Sequence, residues 1–146
     1  MGGRIGLVGC VKKKQSASAP ARDLYTSALF RGRRAFVERT CARWFILSAK
    51  HGLVDPSTVL EPYDETLKGA PTATRRTWSE SVADQMRTVL GPLRGLTFEV
   101  HAGADYLDFG LERALLGDGA DILRPTRGMS LGKQLAFYAN QAGGTT

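Results

Sequence analysis

Two short apolar runs, residues 5–8 and 44–47, break at once into small and polar residues: Gly9-Cys10 after the first, Ser48-Ala49-Lys50-His51-Gly52 after the second. A brief apolar run bounded by turn signals reads as a strand buried on both faces. Strands of that kind lie in parallel sheets, and parallel neighbours need long, usually helical, crossovers that cover the sheet. The recurrence therefore points the chain towards an α/β fold.

The rest of the sequence fills in that frame. Residues 96–102 alternate in the strand manner, and residues 121–124 make a fourth short strand. A helical region starts near Ala21, and its second part, 29–40, has Phe36 and Val37 on the apolar side, arginines elsewhere and Gly32 as a weak spot. Trp78, Val82 and Met86 fall at helical spacing, which predicts a helix over 72–90 stopped by Gly91-Pro92. A further helix carries Leu107, Leu111 and Leu115, and a last one covers 131–140. The expected architecture is α/β: a single-domain three-layer sandwich over 1–146, with a short, mainly parallel sheet of about four strands and a frayed tail at 141–146.

With 146 residues, 42% of them apolar, the chain can bury a core without disulfides or metals. Its two cysteines, Cys10 and Cys41, form neither a disulfide framework nor a metal-ligand spacing, and reduced cytosol is the expected compartment. No apolar run approaches the roughly 18 residues that cross a bilayer, and the N-terminus lacks a signal-peptide core, so a cytoplasmic protein without membrane contact is expected. The formal charge of +6 favours polyanionic or phosphorylated partners, or is simply a basic surface.

In a parallel sheet the loops that start at Cys10, Ser48, His101 and Pro125 leave from one rim, where α/β proteins bind ligands. Lys12, Lys13 and Lys14 lie on the first of these loops and Lys50 on the second. A lysine there can grip an anion, act as a nucleophile or base, or stay solvated. The glycine pattern and terminal Lys-Ser/Thr of a nucleotide-binding P-loop are missing. Cys10 is either a thiolate favoured by its lysine neighbours or small buried filler. His51 and His101 have no local metal-ligand partner, and no metal or cofactor is expected.

The long connection 54–71 carries Glu61, Tyr63, Asp64 and Glu65. Glu61 and Tyr63 share a face if the segment is extended, which suits recognition of a base edge or sugar hydroxyls; acidic residues also cap turns and helices with no ligand involved. The candidate catalytic residues are Lys14, Lys50, Glu61 and Asp64. Candidate substrate-binding residues are Cys10, Lys12, Lys13, Tyr25, Ser27, Ser48, Tyr63, Tyr106 and Arg127, although the tyrosines and Ser27 can equally be hydrogen-bonded packing.

Through Cys10-Val-Lys-Lys-Lys14, residues 19–27 (Ala-Pro-Ala-Arg-Asp-Leu-Tyr-Thr-Ser), Ser48-Ala-Lys-His-Gly52 and Glu61-Pro-Tyr-Asp64, the chain resembles an uncharacterised bacterial and phage domain family of YaaA-like appearance. The turn 101–106 and the segment 128–135 look like that family's third-strand turn and closing motif. Cys10, Lys13 and Lys14 are also similar to the Pro-Cys-x-x-Lys-Lys-Pro-Tyr segment of archaeosine synthase, which modifies a 7-deazaguanine base in tRNA by way of a lysine. Here Gly9 replaces the first proline, and Gln15-Ser16 replaces Pro-Tyr.

Together these features lead to the expectation of a small enzyme acting on a nucleobase, nucleoside or nucleotide, free or within nucleic acid, by base modification or N-glycosidic bond cleavage. The alternative is a noncatalytic nucleic-acid-binding module of the YaaA-like kind, whose lysine loop and arginines in 31–43 contact phosphates.

Overall fold

The structure, a computed structural model, describes residues 3–9 and 14–143, with side chains through 141. Its strands are β1 (Ile5–Gly9), β2 (Ala19–Pro20), β3 (Arg43–Ser48), β4 (Gly52–Val54), β5 (Val59–Leu60), β6 (Thr97–His101) and β7 (Asp121–Leu123). The helices are α1 (Ala21–Leu24), α2 (Ala28–Thr40), α3 (Thr72–Leu90), α4 (Ala104–Leu107), α5 (Leu111–Gly117) and α6 (Leu131–Gly143). Five strands form one mixed, mostly parallel sheet in the order β4-β3-β1-β6-β7. β1 runs parallel to β3 and to β6, β6 runs parallel to β7, and only β4 is antiparallel to its neighbour.

The sheet has one strand more than the sequence suggested. β4 is three residues long, too short to show a period, and it exists because the chain reverses directly after Lys50 and His51. Gly52 makes the reversal with φ +74, a left-handed conformation that costs glycine little, and Ile46, Leu47 and Ser48 then pair with Val54, Leu53 and Gly52. The expected helix after the third strand is two helices, α4 and α5, interrupted at 108–110, where Gly110 takes φ +126. α3 spans 72–90 as its periodicity indicates.

Side-chain alternation along the strands divides the apolar residues into two clusters. Ile5, Leu7, Phe45, Leu47, Phe98 and Val100 pack with Trp78, Val82 and Met86 of α3 and with Leu107, Leu111 and Leu115. Val8 and Ile46 pack with Leu24, Phe30 and Val37 of α1 and α2, and with Tyr25, Leu60 and Tyr63. The β2–β5 ladder pairs Ala19 with Leu60, fastening the 54–71 connection against the segment that leads into α1.

The alternation of β6 does not place polar residues in water. Glu99 and His101 are both fully buried. His101 Nε2 donates to Glu99 Oε1 at 2.8 Å, its Nδ1 meets the Tyr138 hydroxyl at 2.7 Å, and Arg4 donates to Glu99 Oε2 at 3.0 Å. Buried polar groups survive when they are satisfied in this way, and here they tie β6 to α6. Burial pushes the Glu99 carboxyl up, but hydrogen bonds from His101, Arg4 and Thr40 and the His101 charge outweigh it, leaving the group below its ordinary value. Among the described residues no helix is long and apolar enough to cross a membrane.

Candidate active site at the carboxyl ends of the strands

The parallel strands bring Gly9, Ser48, His101 and Leu123 to one rim of the sheet. β1 lies at its centre, with β3 on one side and β6 on the other. The chain leaves β1 for β3 and later returns through α3 to β6, so β1 marks the point where the strand order reverses. Ligands of open α/β sheets bind outside the strand ends at such a point.

Lys14 lies there. It bridges to Tyr25 in an isolated antiparallel pair, and its Nζ stands 4.4 Å from the centroid of the Tyr63 ring and 5.6 Å from that of Tyr25. The next residue, Gln15, donates its N–H to the Leu24 carbonyl at 2.9 Å, which holds the outgoing loop along α1. Beneath the ammonium runs a chain of buried hydroxyls: Tyr25 is hydrogen-bonded to Tyr63, and Tyr63 to Ser48 Oγ at 2.7 Å. Ser48 Oγ also accepts the His51 N–H at 3.1 Å, and the Ser48 carbonyl accepts the Trp78 indole N–H at 2.9 Å. The last residue of β3 is thus fixed from both faces of the sheet.

Four of the expected site residues, Lys14, Tyr25, Ser48 and Tyr63, therefore come together. Cys10, Lys12 and Lys13 lie outside the described residues. Lys50 is exposed on the turn between β3 and β4, 3.9 Å from Glu65. Glu61 and Asp64 are exposed on either side of the buried Tyr63, so Glu61 and Tyr63 differ in burial although they lie two residues apart. Tyr106 is half-buried, its ring 5.2 Å from that of Trp78. Ser27 is the N-cap of α2, accepting the Phe30 N–H at 3.1 Å. Arg127 is exposed in the turn after β7, at a cavity of about 440 Å³ shared with Gly103, Arg124 and Gln134.

Sequence periodicity places Arg33 among the solvated arginines, yet it is buried. Its Nη1 donates to the Gly9 carbonyl at 3.3 Å and its Nη2 to Gln134 Oε1 at 3.1 Å, joining the end of β1 to α6. Arg34 is spent on Asp23, Glu38 and the Arg22 carbonyl. Arg39 lies over Phe36, and Arg43 over Phe45. The internal duty of Arg33 has no local signal, because its acceptors lie 24 and 101 residues away.

A family model spans residues 5–140 of the chain. The chain belongs to DUF6884, a family of unknown function. The match runs from the first residue of β1 nearly to the end of α6, so the Lys14, Tyr25, Ser48 and Tyr63 cluster lies wholly within the DUF6884 region. No curated protein and no solved structure matches the chain.

Proposed function

We propose that this DUF6884 protein is a small enzyme acting on a nucleobase, nucleoside or nucleotide, free or within nucleic acid, by base modification or cleavage of an N-glycosidic bond. The observation that carries the reading is the position of the Lys14 ammonium above Tyr63 and beside the Tyr25–Tyr63–Ser48 hydroxyl chain, at the reversal point of the sheet. A cation there attracts a phosphate, aromatic rings and hydroxyls suit a base and a sugar, and Lys14 is the candidate reacting lysine. The similarity of Cys10, Lys13 and Lys14 to the lysine segment of archaeosine synthase points the same way. The same reading takes the chain as one domain of three layers working in the cytoplasm.

In the glycosidic version, Glu61 or Asp64, exposed on the segment that carries Tyr63, takes a proton from water. The water oxygen then bonds to the anomeric carbon as the C–N bond breaks, and the carboxylic acid so formed returns its proton to the departing base, by analogy with other glycosyl hydrolysis. The alternative, a noncatalytic nucleic-acid-binding module, is less favoured because two of its arginines, Arg33 and Arg34, are held by partners within the protein. Incubation with nucleoside monophosphates, single-stranded DNA and transfer RNA, followed by chromatography for released or altered bases, tests the enzyme reading. Product that disappears in Lys14→Ala or Glu61→Gln supports it. Absence of any product, with polyanion binding that weakens steeply in salt, favours the alternative.

A further inference from the structure

On the other side of the β3–β4 turn from Lys14, a groove of about 490 Å³ separates that turn from α3. We propose that this groove is a second binding site, specific for a phosphate group. It extends the nucleotide reading and rests on that reading only for the identity of the molecule that carries the phosphate.

The groove is built on rigid walls. Gln85 accepts the Leu53 N–H at 2.8 Å and donates to the His51 carbonyl at 3.3 Å, so its amide holds the turn against α3. The Gln85 amide lies directly against Gly52, where a Cβ would collide with its oxygen. Trp78, bonded to the Ser48 carbonyl, lines the same groove.

The residue types that line it are those of an oxyanion site. Thr74, Thr77 and Ser81 recur three and four residues apart and present one stripe of α3 to the groove. A helical serine or threonine commonly returns its hydroxyl to the carbonyl four residues before it, as Thr88 does to Asp84. Among the described residues the hydroxyls of Thr74, Thr77 and Ser81 make no such bond. Lys50 and His51 also line it, and among the described residues the lining contains no carboxylate. The pairing of Lys50 with Glu65, at 3.9 Å between two half-exposed side chains, competes weakly with a bound anion. Three hydroxyl donors, an ammonium and an imidazole match a group with several acceptor oxygens and negative charge.

His51 also packs edge-on against Tyr63, ring centroids 5.4 Å apart, so the groove and the Lys14 cluster meet across one side chain. A ligand reaching both sites carries a phosphate beyond its nucleoside. Its source is either the polyphosphate of a free nucleotide or the neighbouring phosphate of a strand.

Nuclear magnetic resonance titration of the isotope-labelled full chain tests the site, with inorganic pyrophosphate, a nucleoside monophosphate, the matching triphosphate and a single-stranded trinucleotide as probes. Pyrophosphate is expected to move the Trp78 indole signal and the backbone signals of 50–52. The Thr77→Val/Ser81→Ala variant, changed only at exposed helix positions, is expected to bind pyrophosphate about tenfold more weakly. Whichever of the triphosphate and the trinucleotide loses its advantage over the monophosphate in that variant identifies the source. Unmoved groove signals, or equal pyrophosphate affinity in variant and parent, overturn the proposal. If the monophosphate leaves the Tyr63 signals unchanged while pyrophosphate still moves the groove, the nucleotide reading fails and the phosphate site stands.

Discussion

The Lys14 ammonium stands 4.4 Å from the centre of the Tyr63 ring, and the hydroxyl of that ring is bonded to Ser48 at the end of β3. One tyrosine thus connects the lysine loop to the central sheet. Its ring meets the cation and its hydroxyl meets the scaffold, so the two contributions can be separated.

Tyr63→Phe keeps the ring and removes only the hydroxyl. Tyr25 and Ser48 are both buried, and each loses a hydrogen bond to Tyr63, although Ser48 keeps the His51 N–H. The expected cost is about 1–3 kcal/mol, read from the midpoint of urea unfolding. An unchanged midpoint would show that the hydroxyl chain contributes nothing to the fold.

The buried acid of β6 makes stability depend on pH. Glu99 has a folded-state pKa below its ordinary value, despite burial, because His101, Arg4 and Thr40 donate to it and His101 adds charge. A lowered carboxyl pKa stabilises the fold above the unfolded-state value, and that contribution is lost as pH falls through the folded-state value. The parent should therefore lose stability through the acid range below the ordinary glutamate pKa, while Glu99→Gln starts roughly 3 kcal/mol lower near neutrality and falls less over the same window. Parallel pH profiles for the two proteins would contradict this role for Glu99.

Gly32 tests how closely α2 and α6 pack. In an isolated helix alanine would gain about 1 kcal/mol over glycine. Here a Cβ at residue 32 would stand 2.8 Å from Tyr138 Cβ, an atom that cannot turn away by rotating its side chain. Gly32→Ala is therefore expected to destabilise by about 1–3 kcal/mol, measured by thermal or denaturant unfolding. A more stable variant would mean that α6 can move aside at little cost.

What the sequence disclosed follows the range of its signals. The runs around Leu7 and Ile46 and the spacing of Trp78, Val82 and Met86 are local, and they placed the parallel strands and α3. β4 depends on the left-handed turn at Gly52 and on Gln85, 32 residues from its partner Leu53, and no local pattern announces it. The site divides in the same way. Lys14, Ser48 and Tyr63 were visible as polar residues at strand ends or in an unusually long loop. The burial of Arg33, and the joining of Glu99, His101 and Tyr138, arise only when α6 packs onto the sheet. Gly32, a weak spot by helix propensity, is a point of close approach for the same reason.

Calorimetric titration of the full chain and of Lys14→Ala with a nucleoside monophosphate at low salt tests the central claim most directly. The parent is expected to bind, and the variant to bind between about tenfold and a hundredfold more weakly while unfolding at a similar denaturant concentration. Equal affinity in the two proteins, or no binding by the parent, would contradict the assignment of Lys14 to a nucleotide site.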